Sequence, residues 1–224
     1  MQSVNNFLVS CDNADKLGYS RSHKSHKVPQ NKLPQMQNAN NPGFIPPHGG
    51  YRKLITFQKS QIIYDGTVYF TKRFFKKYDR TIDQMVQAAR SGKQNIAEAS
   101  VASATSKETE IKLTNVARAS LEELMLDYED FLRTNKLTQW GSNHKLSLRF
   151  SELNRTENAT YQTYIKAIEN PDPEICANSL RCLTNIVIYL LKQQIKTLEK
   201  EFVQQGGLRE RMTKARIEHR NKKQ

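Results

Sequence analysis

The chain has 224 residues, enough for one good-sized domain with tails. Its apolar content of 37% and mean hydropathy of −0.73 are low for a wholly globular chain, so part of it is expected to be disordered. A net charge of +13 and a pI near 9.7 favour polyanionic partners, nucleic acid ahead of an anionic membrane.

No apolar run approaches the ~18 residues of a membrane span, and Phe7-Leu8-Val9 lacks the length of a secretory core. No membrane partner is expected, and the expected compartment is the cytoplasm. Cys11, Cys176 and Cys182 are odd in number and form no Cys-x-x-Cys pair, which argues against a disulfide framework or a zinc site.

Residues 1–48 are polar and aperiodic, carry net charge +3, and read as a disordered basic tail. His23 and His26 supply two thirds of a metal site that nothing nearby completes. Pro46-Pro-His-Gly-Gly50 marks the boundary of the folded part.

Tyr51–Tyr78 has two local readings. β-Branched and aromatic residues flank Asp65-Gly66, a hairpin signal. The alternative is a helix whose stripe is Leu54/Ile55, Gln58, Ile62, Tyr69 and Phe74, with Gly66 costing about 1 kcal/mol relative to alanine. The end of the segment is more informative. Lys72, Arg73, Lys76, Lys77 and Arg80 share nine residues with Phe74, Phe75 and Tyr78, against Asp79 alone. That exceeds what complementing a helix C-terminus needs, so these cations are candidate phosphate contacts.

Thr81 with Gln84 forms a Thr-x-x-Gln capping box that opens a helix over 81–104. Its centre, Ala88-Ala-Arg-Ser-Gly-Lys-Gln-Asn-Ile-Ala-Glu-Ala-Ser100, is dominated by small residues that let helices approach closely. Arg90 and Lys93 are candidate phosphate contacts. Asn95 and Glu98 are expected to be structural, through buried hydrogen bonds between helices.

Ser106 caps the next helix, 107–134, with Glu108 and Glu110 in its first turn. Its apolar face runs from Ile111 through Leu121 and Leu124 to Leu132, and its other face is acidic, net −3. Glu122, Glu123, Asp127, Glu129 and Asp130 have no histidine beside them to complete a di-iron pattern, so they read as a solvated or cation-pairing face. Arg118 is a structural or interface residue there.

Residues 138–173 form a polar insertion with short helices near 145–153 and 157–169. Pro171-Asp-Pro173 then opens a helix over 174–205, where Leu180, Leu183, Ile186/Val187, Leu190/Leu191, Ile195, Leu198 and Phe202 give the cleanest helical spacing in the chain. Gly206-Gly207 stops it. The suffix 207–224 carries net charge +5 on Arg209, Arg211, Lys214, Arg216, Arg220, Lys222 and Lys223, the remaining candidate nucleic-acid contacts.

Four long helices with comparable apolar stripes predict an all-α, antiparallel up-and-down four-helix bundle, preceded by the tail and followed by a short basic helix. Gln84-Met-Val-Gln-Ala-Ala-Arg-Ser-Gly-Lys-Gln-Asn-Ile-Ala-Glu98, with Asn115–Leu124 and Asp127–Phe131, resembles the bacterial four-helix-bundle family that includes proteins encoded in 23S rRNA intervening sequences. The Pro46–Lys53 lead-in and the Gly206–Arg216 tail look like its subgroup with a four helix bundle suffix domain. One departure is Ala99, where the family usually has glycine.

The resemblance implies helix at Asp65-Gly66 and a ring-shaped homo-oligomer, a pentamer among relatives. A distant relative, the accessory protein of diversity-generating retroelements, binds nucleic acid and a reverse transcriptase, so a larger nucleic-acid enzyme is a further candidate partner. The expected function is a non-enzymatic, oligomeric accessory protein that binds RNA, or less readily DNA, by its phosphate backbone. The alternative is a homo-oligomeric scaffold docking an acidic partner, in which Arg90 and Arg118 pair with Glu98, Glu122 or Asp127 across interfaces. An enzyme fits poorly: Ser91-Gly-Lys93 lacks the rest of a phosphate loop, and no nucleophile, ligand cluster or cofactor motif is present. No cofactor or metal is expected.

Overall fold

The computed structural model describes residues 49–153 and 159–222, which are helical with no strand among them. They belong to one unit, Pro42–Gln224. The readings made for residues 1–48, including Cys11, His23 and His26, and for Lys223 lie outside the described residues.

After a 3-10 turn at Tyr51–Lys53, helix α1 spans Ile55–Phe74 and runs straight through Asp65-Gly66. Its buried face differs from the expected stripe: Ile55 is exposed, and Gln58, Tyr69 and Phe74 are half-buried. Ile62 is buried as expected, joined by Ile63 and Phe70, which the stripe did not include, beside Thr56, Ser60, Thr67 and Thr71. Three of these hydroxyls donate to the carbonyl one turn back: Ser60 to Thr56 at 2.7 Å, Thr67 to Ile63 at 2.7 Å and Thr71 to Thr67 at 2.9 Å. A hydroxyl satisfied by its own helix can be buried without a distant partner. Gly66 is needed for close approach, because a Cβ there would lie 2.5 Å from Leu180 Cδ2 and 2.9 Å from Ile168 Cγ2.

Helix α2 spans Arg80–Ala102. Its cap is Asp79 rather than Thr81: Asp79 Oδ1 accepts the Thr81 N–H at 2.9 Å. A carboxylate preceding the first turn outcompetes the threonine because it adds charge to the hydrogen bond at the positive end of the helix. Met85, Ala88, Ala89, Gly92, Ile96 and Ala99 are buried. The small face brings α2 close to α3, Lys107–Thr134, so that a Cβ on Gly92 would meet Leu121 Cγ at 2.7 Å. Ser106 caps α3 by accepting the Thr109 N–H at 3.1 Å, as its position implied.

Short helices α4 (Lys145–Leu153) and α5 (Tyr161–Ile168) pack on α6, Pro173–Gln205. Asp172 caps α6, with Pro173 in its first turn. The packed pairs of long helices are α1–α2, α2–α3, α3–α6 and α6–α1. Ion pairs mark the α3–α6 register: Lys107 to Glu201 at 3.2 Å, Glu122 to Lys192 at 3.1 Å and Glu129 to Arg181 at 3.2 Å.

The stretch Pro173–Asn221 is long and apolar enough by composition to cross a membrane, although it holds no unbroken apolar run of that length. Some 56% of its most apolar window is buried inside the protein, and a helix buried in a protein core meets the same test of length and composition. Beyond Gly206, at φ 68°, helix α7 (Leu208–Asn221) buries none of its side chains.

Candidate nucleic-acid interface

The junction between α1 and α2 is built on an aromatic cluster. Phe70 is fully buried, with ring centroids 5.3 Å from Phe74, 5.8 Å from Phe75, 5.3 Å from Tyr128 and 4.8 Å from Phe131. This cluster fixes the last turn of α1 and turns the intervening cations outward. Lys72, Arg73, Lys76, Lys77 and Arg80 are all exposed. Phe74 and Phe75 are half-buried members of the cluster, which leaves Tyr78, 86% exposed, as the aromatic side chain presented to solvent.

The five cations make no ion pair with a carboxylate among the described residues. Elsewhere, Lys107, Lys112, Arg118, Arg133, Arg149, Arg181 and Lys192 are each paired. Asp79, the one acid in the cluster, is committed to capping α2. The backbone N–H of Thr81 holds its carboxyl below the usual carboxylate range. The junction therefore presents positive potential that no carboxylate among the described residues neutralises at ion-pair distance.

The second basic segment lies elsewhere. Arg209, Lys214, Arg216, Arg220 and Lys222 are exposed on α7 or at its end, with Arg211 half-buried. The start of α7 lines a cleft with Thr105, Ser106, Lys107 and Glu108 at the turn between α2 and α3. The two basic segments thus sit at opposite ends of α2, whose 23 residues correspond to roughly 35 Å at 1.5 Å per residue.

The residues at the centre of α2 divide. Arg90 is exposed. Lys93 is half-buried, its Nζ 4.2 Å from the Tyr64 ring centroid. It also faces Asp65, whose carboxyl is raised by burial and drawn back down by this lysine. Lys93 is therefore engaged with α1, and a phosphate would compete with that contact. Asn95 donates to Ser91 O at 2.9 Å and to Ser91 Oγ at 3.1 Å, and Ser91 Oγ lies 3.0 Å from Ser120 Oγ on α3. Asn95 thus reaches α3 through Ser91, while Glu98 is exposed. Arg118 binds Asn115 Oδ1 through Nε and Nη2 and Glu122 Oε1 through Nη1 at 2.7 Å, all within α3. Arg118 and Glu122, which the scaffold reading pairs across an interface, are paired with each other within one helix.

Lys59 counts toward the basic charge but does not reach the surface. It is 2% exposed, with Nζ 3.2 Å from the Tyr164 hydroxyl and 5.6 Å from that ring's centroid, and burial lowers its pKa. Its spacing from Thr56 and Ile63 on one helix face was the available signal, obscured by the weak apolar periodicity of α1.

Among the described residues no three His, Cys, Asp or Glu side chains are grouped to hold a metal ion. The Cys176 thiol donates to Ile168 O at 2.7 Å, and burial, with a smaller contribution from Glu169, pushes its pKa up to about 12. It is a protonated core thiol at neutral pH rather than a nucleophile. In comparisons with known proteins, no family model, no curated protein and no solved structure matches this chain.

Proposed function

We propose that this chain is a non-enzymatic nucleic-acid-binding protein, favouring RNA over DNA, that holds the phosphate backbone through the α1–α2 junction. The observation that carries this reading is the set of exposed, unpaired cations Lys72, Arg73, Lys76, Lys77 and Arg80. Paired surface cations are partly neutralised in advance, whereas these retain the counterions that phosphate binding would release. The basic face of α7 supplies a second, separate contact, and contacts of this kind position a backbone without reading sequence.

The helices are read as an antiparallel up-and-down four-helix bundle. Supporting it, residue numbers fall along α6 as they rise along α3 in all three ion pairs between them. Five-residue and four-residue connections join α1 to α2 and α2 to α3, short enough to favour antiparallel neighbours. Assembly into a ring, as the resemblance implies, would repeat each patch once per subunit and raise avidity. The protein is read as cytoplasmic, with a larger nucleic-acid enzyme as a candidate partner.

One observation favours the scaffold alternative. Leu126 is 58% exposed on α3 and is surrounded in sequence by Glu122, Glu123, Glu129 and Asp130. A gel-shift titration separates the two readings: binding that weakens steeply with salt supports nucleic-acid recognition, and purified protein that neither carries nor shifts RNA or DNA supports the scaffold.

A further inference from the structure

Tyr78 combines two features that rarely occur together. Its φ of 75° lies in the left-handed region, which a bulky side chain occupies only at a cost. Glycine or asparagine ordinarily fills such a position in a turn. The nearby Phe74 and Phe75, whose backbones carry no such strain, pack on Phe131 with centroid separations of 6.5 and 5.3 Å. Tyr78 packs on almost nothing and is 86% exposed. The ring contact it makes is with Lys77, whose Nζ lies 5.1 Å from the centroid. Exposed Lys72, Arg73, Lys76 and Arg80 share the same junction.

We infer that Tyr78 is a base-stacking platform and that the α1–α2 junction takes single-stranded in preference to duplex nucleic acid. This rests on the nucleic-acid reading above and adds the class of strand. Bases in a duplex are stacked on one another, and an aromatic side chain finds a free face only at a helix end. Unpaired bases offer a face at every nucleotide, and stacking on a protein ring accepts any base. With Lys77 over one side of the ring, its other side is open to a base while the surrounding cations take the flanking phosphates. Helix α7 contains no Phe, Tyr or Trp, which leaves Tyr78 as the large exposed aromatic side chain beside a basic cluster.

The test is fluorescence anisotropy on the full chain at one low ionic strength, with a short labelled oligouridylate and an RNA duplex of equal length. Tyr78→Ala and Tyr78→Gly should weaken single-strand binding about tenfold or more, in line with alanine substitutions at stacking sites. Tyr78→Trp should retain it, and none of the three should alter duplex affinity. Tyr78→Gly also relieves the backbone, so a melting temperature at or above that of the wild type excludes misfolding as the cause. Single-strand affinity unchanged in Tyr78→Ala, or equal losses for both polymers, would overturn the stacking assignment alone. A wild-type protein that binds neither polymer would remove the parent reading and this one together.

Discussion

The Tyr128 hydroxyl lies 2.8 Å from Thr67 Oγ1, and both side chains are fully buried, one on α3 and one on α1. Thr67 already donates its proton to Ile63 O at 2.7 Å, so Tyr128 is the donor and Thr67 the acceptor. The two partners are therefore unequal. Tyr128→Phe leaves the Thr67 donor satisfied and should cost about 1 kcal/mol, the net worth of one hydrogen bond. Thr67→Val strands a buried phenol and should cost roughly 2–3 kcal/mol. Urea unfolding of the two variants checks the order, and equal losses would contradict the donor assignment.

Gly66 and Gly92 sit inside helices where alanine is intrinsically better by about 1 kcal/mol. A Cβ on Gly66 would meet Leu180 Cδ2 at 2.5 Å, and one on Gly92 would meet Leu121 Cγ and Cδ2 at 2.7 Å. Overpacking of a close-packed core typically costs ~1–3 kcal/mol and outweighs the propensity gain. Both Gly66→Ala and Gly92→Ala should lower the melting temperature. Gly92→Ala should do so more, because it strikes the branch point of Leu121 as well as the tip of its side chain.

Asp127 is half-buried, and its Oδ2 has no hydrogen-bond partner among the described residues. Burial first, then the carboxylates of Glu123 and Asp130, push its pKa from 3.8 up to about 6. A raised folded-state pKa means that the folded protein binds this proton more tightly than the unfolded chain. The group's contribution to stability therefore falls as pH rises from 3.8 to about 6, and the loss is complete above that window. Asp127→Asn should melt higher than the wild type at neutral pH, and the gap should close as pH falls through the same window. A gap independent of pH would contradict the assignment.

Asn178, fully buried on α6, accepts the Trp140 N–H at 2.8 Å and donates to Thr138 O and Glu174 O, each at 2.9 Å. Arg181 adds a bond to Trp140 O at 2.7 Å. Together they hold the segment after α3 against α6 and bury the chain's one tryptophan. Asn178→Ala should cost ~1–3 kcal/mol by leaving a backbone donor and acceptor unpaired. It should also shift tryptophan emission to the red as Trp140 gains solvent.

The readable parts of the chain were those where local chemistry and tertiary demand agree. Ser106 and the apolar face behind it gave α3 its observed bounds, and Leu180, Leu183 and Leu198 gave α6 its buried face. Helix α1 was ambiguous because threonine, serine, glycine and one lysine share its inner face with Ile62, Ile63 and Phe70 and interrupt the apolar periodicity. Asp65-Gly66 resembled a hairpin turn, whereas the glycine is there to admit Leu180 and Ile168. At the α1–α2 junction, the cations of 72–80 were legible as a composition run. Which cations stay unpaired, which one is buried and which of the three aromatics is exposed depend on Phe131 and Tyr164, distant in sequence and brought close by the fold.

The most direct test of phosphate binding at the α1–α2 junction is the salt dependence of RNA affinity in the wild type and in a variant with Lys72, Arg73, Lys76, Lys77 and Arg80 changed to glutamine. Each single-strand phosphate contact contributes about 0.7 to the slope of log affinity against log salt, so the variant's slope should be shallower by up to about 3.5. A steep wild-type slope that survives all five substitutions would place binding elsewhere on the protein. A wild-type affinity indifferent to salt would contradict recognition of the phosphate backbone altogether.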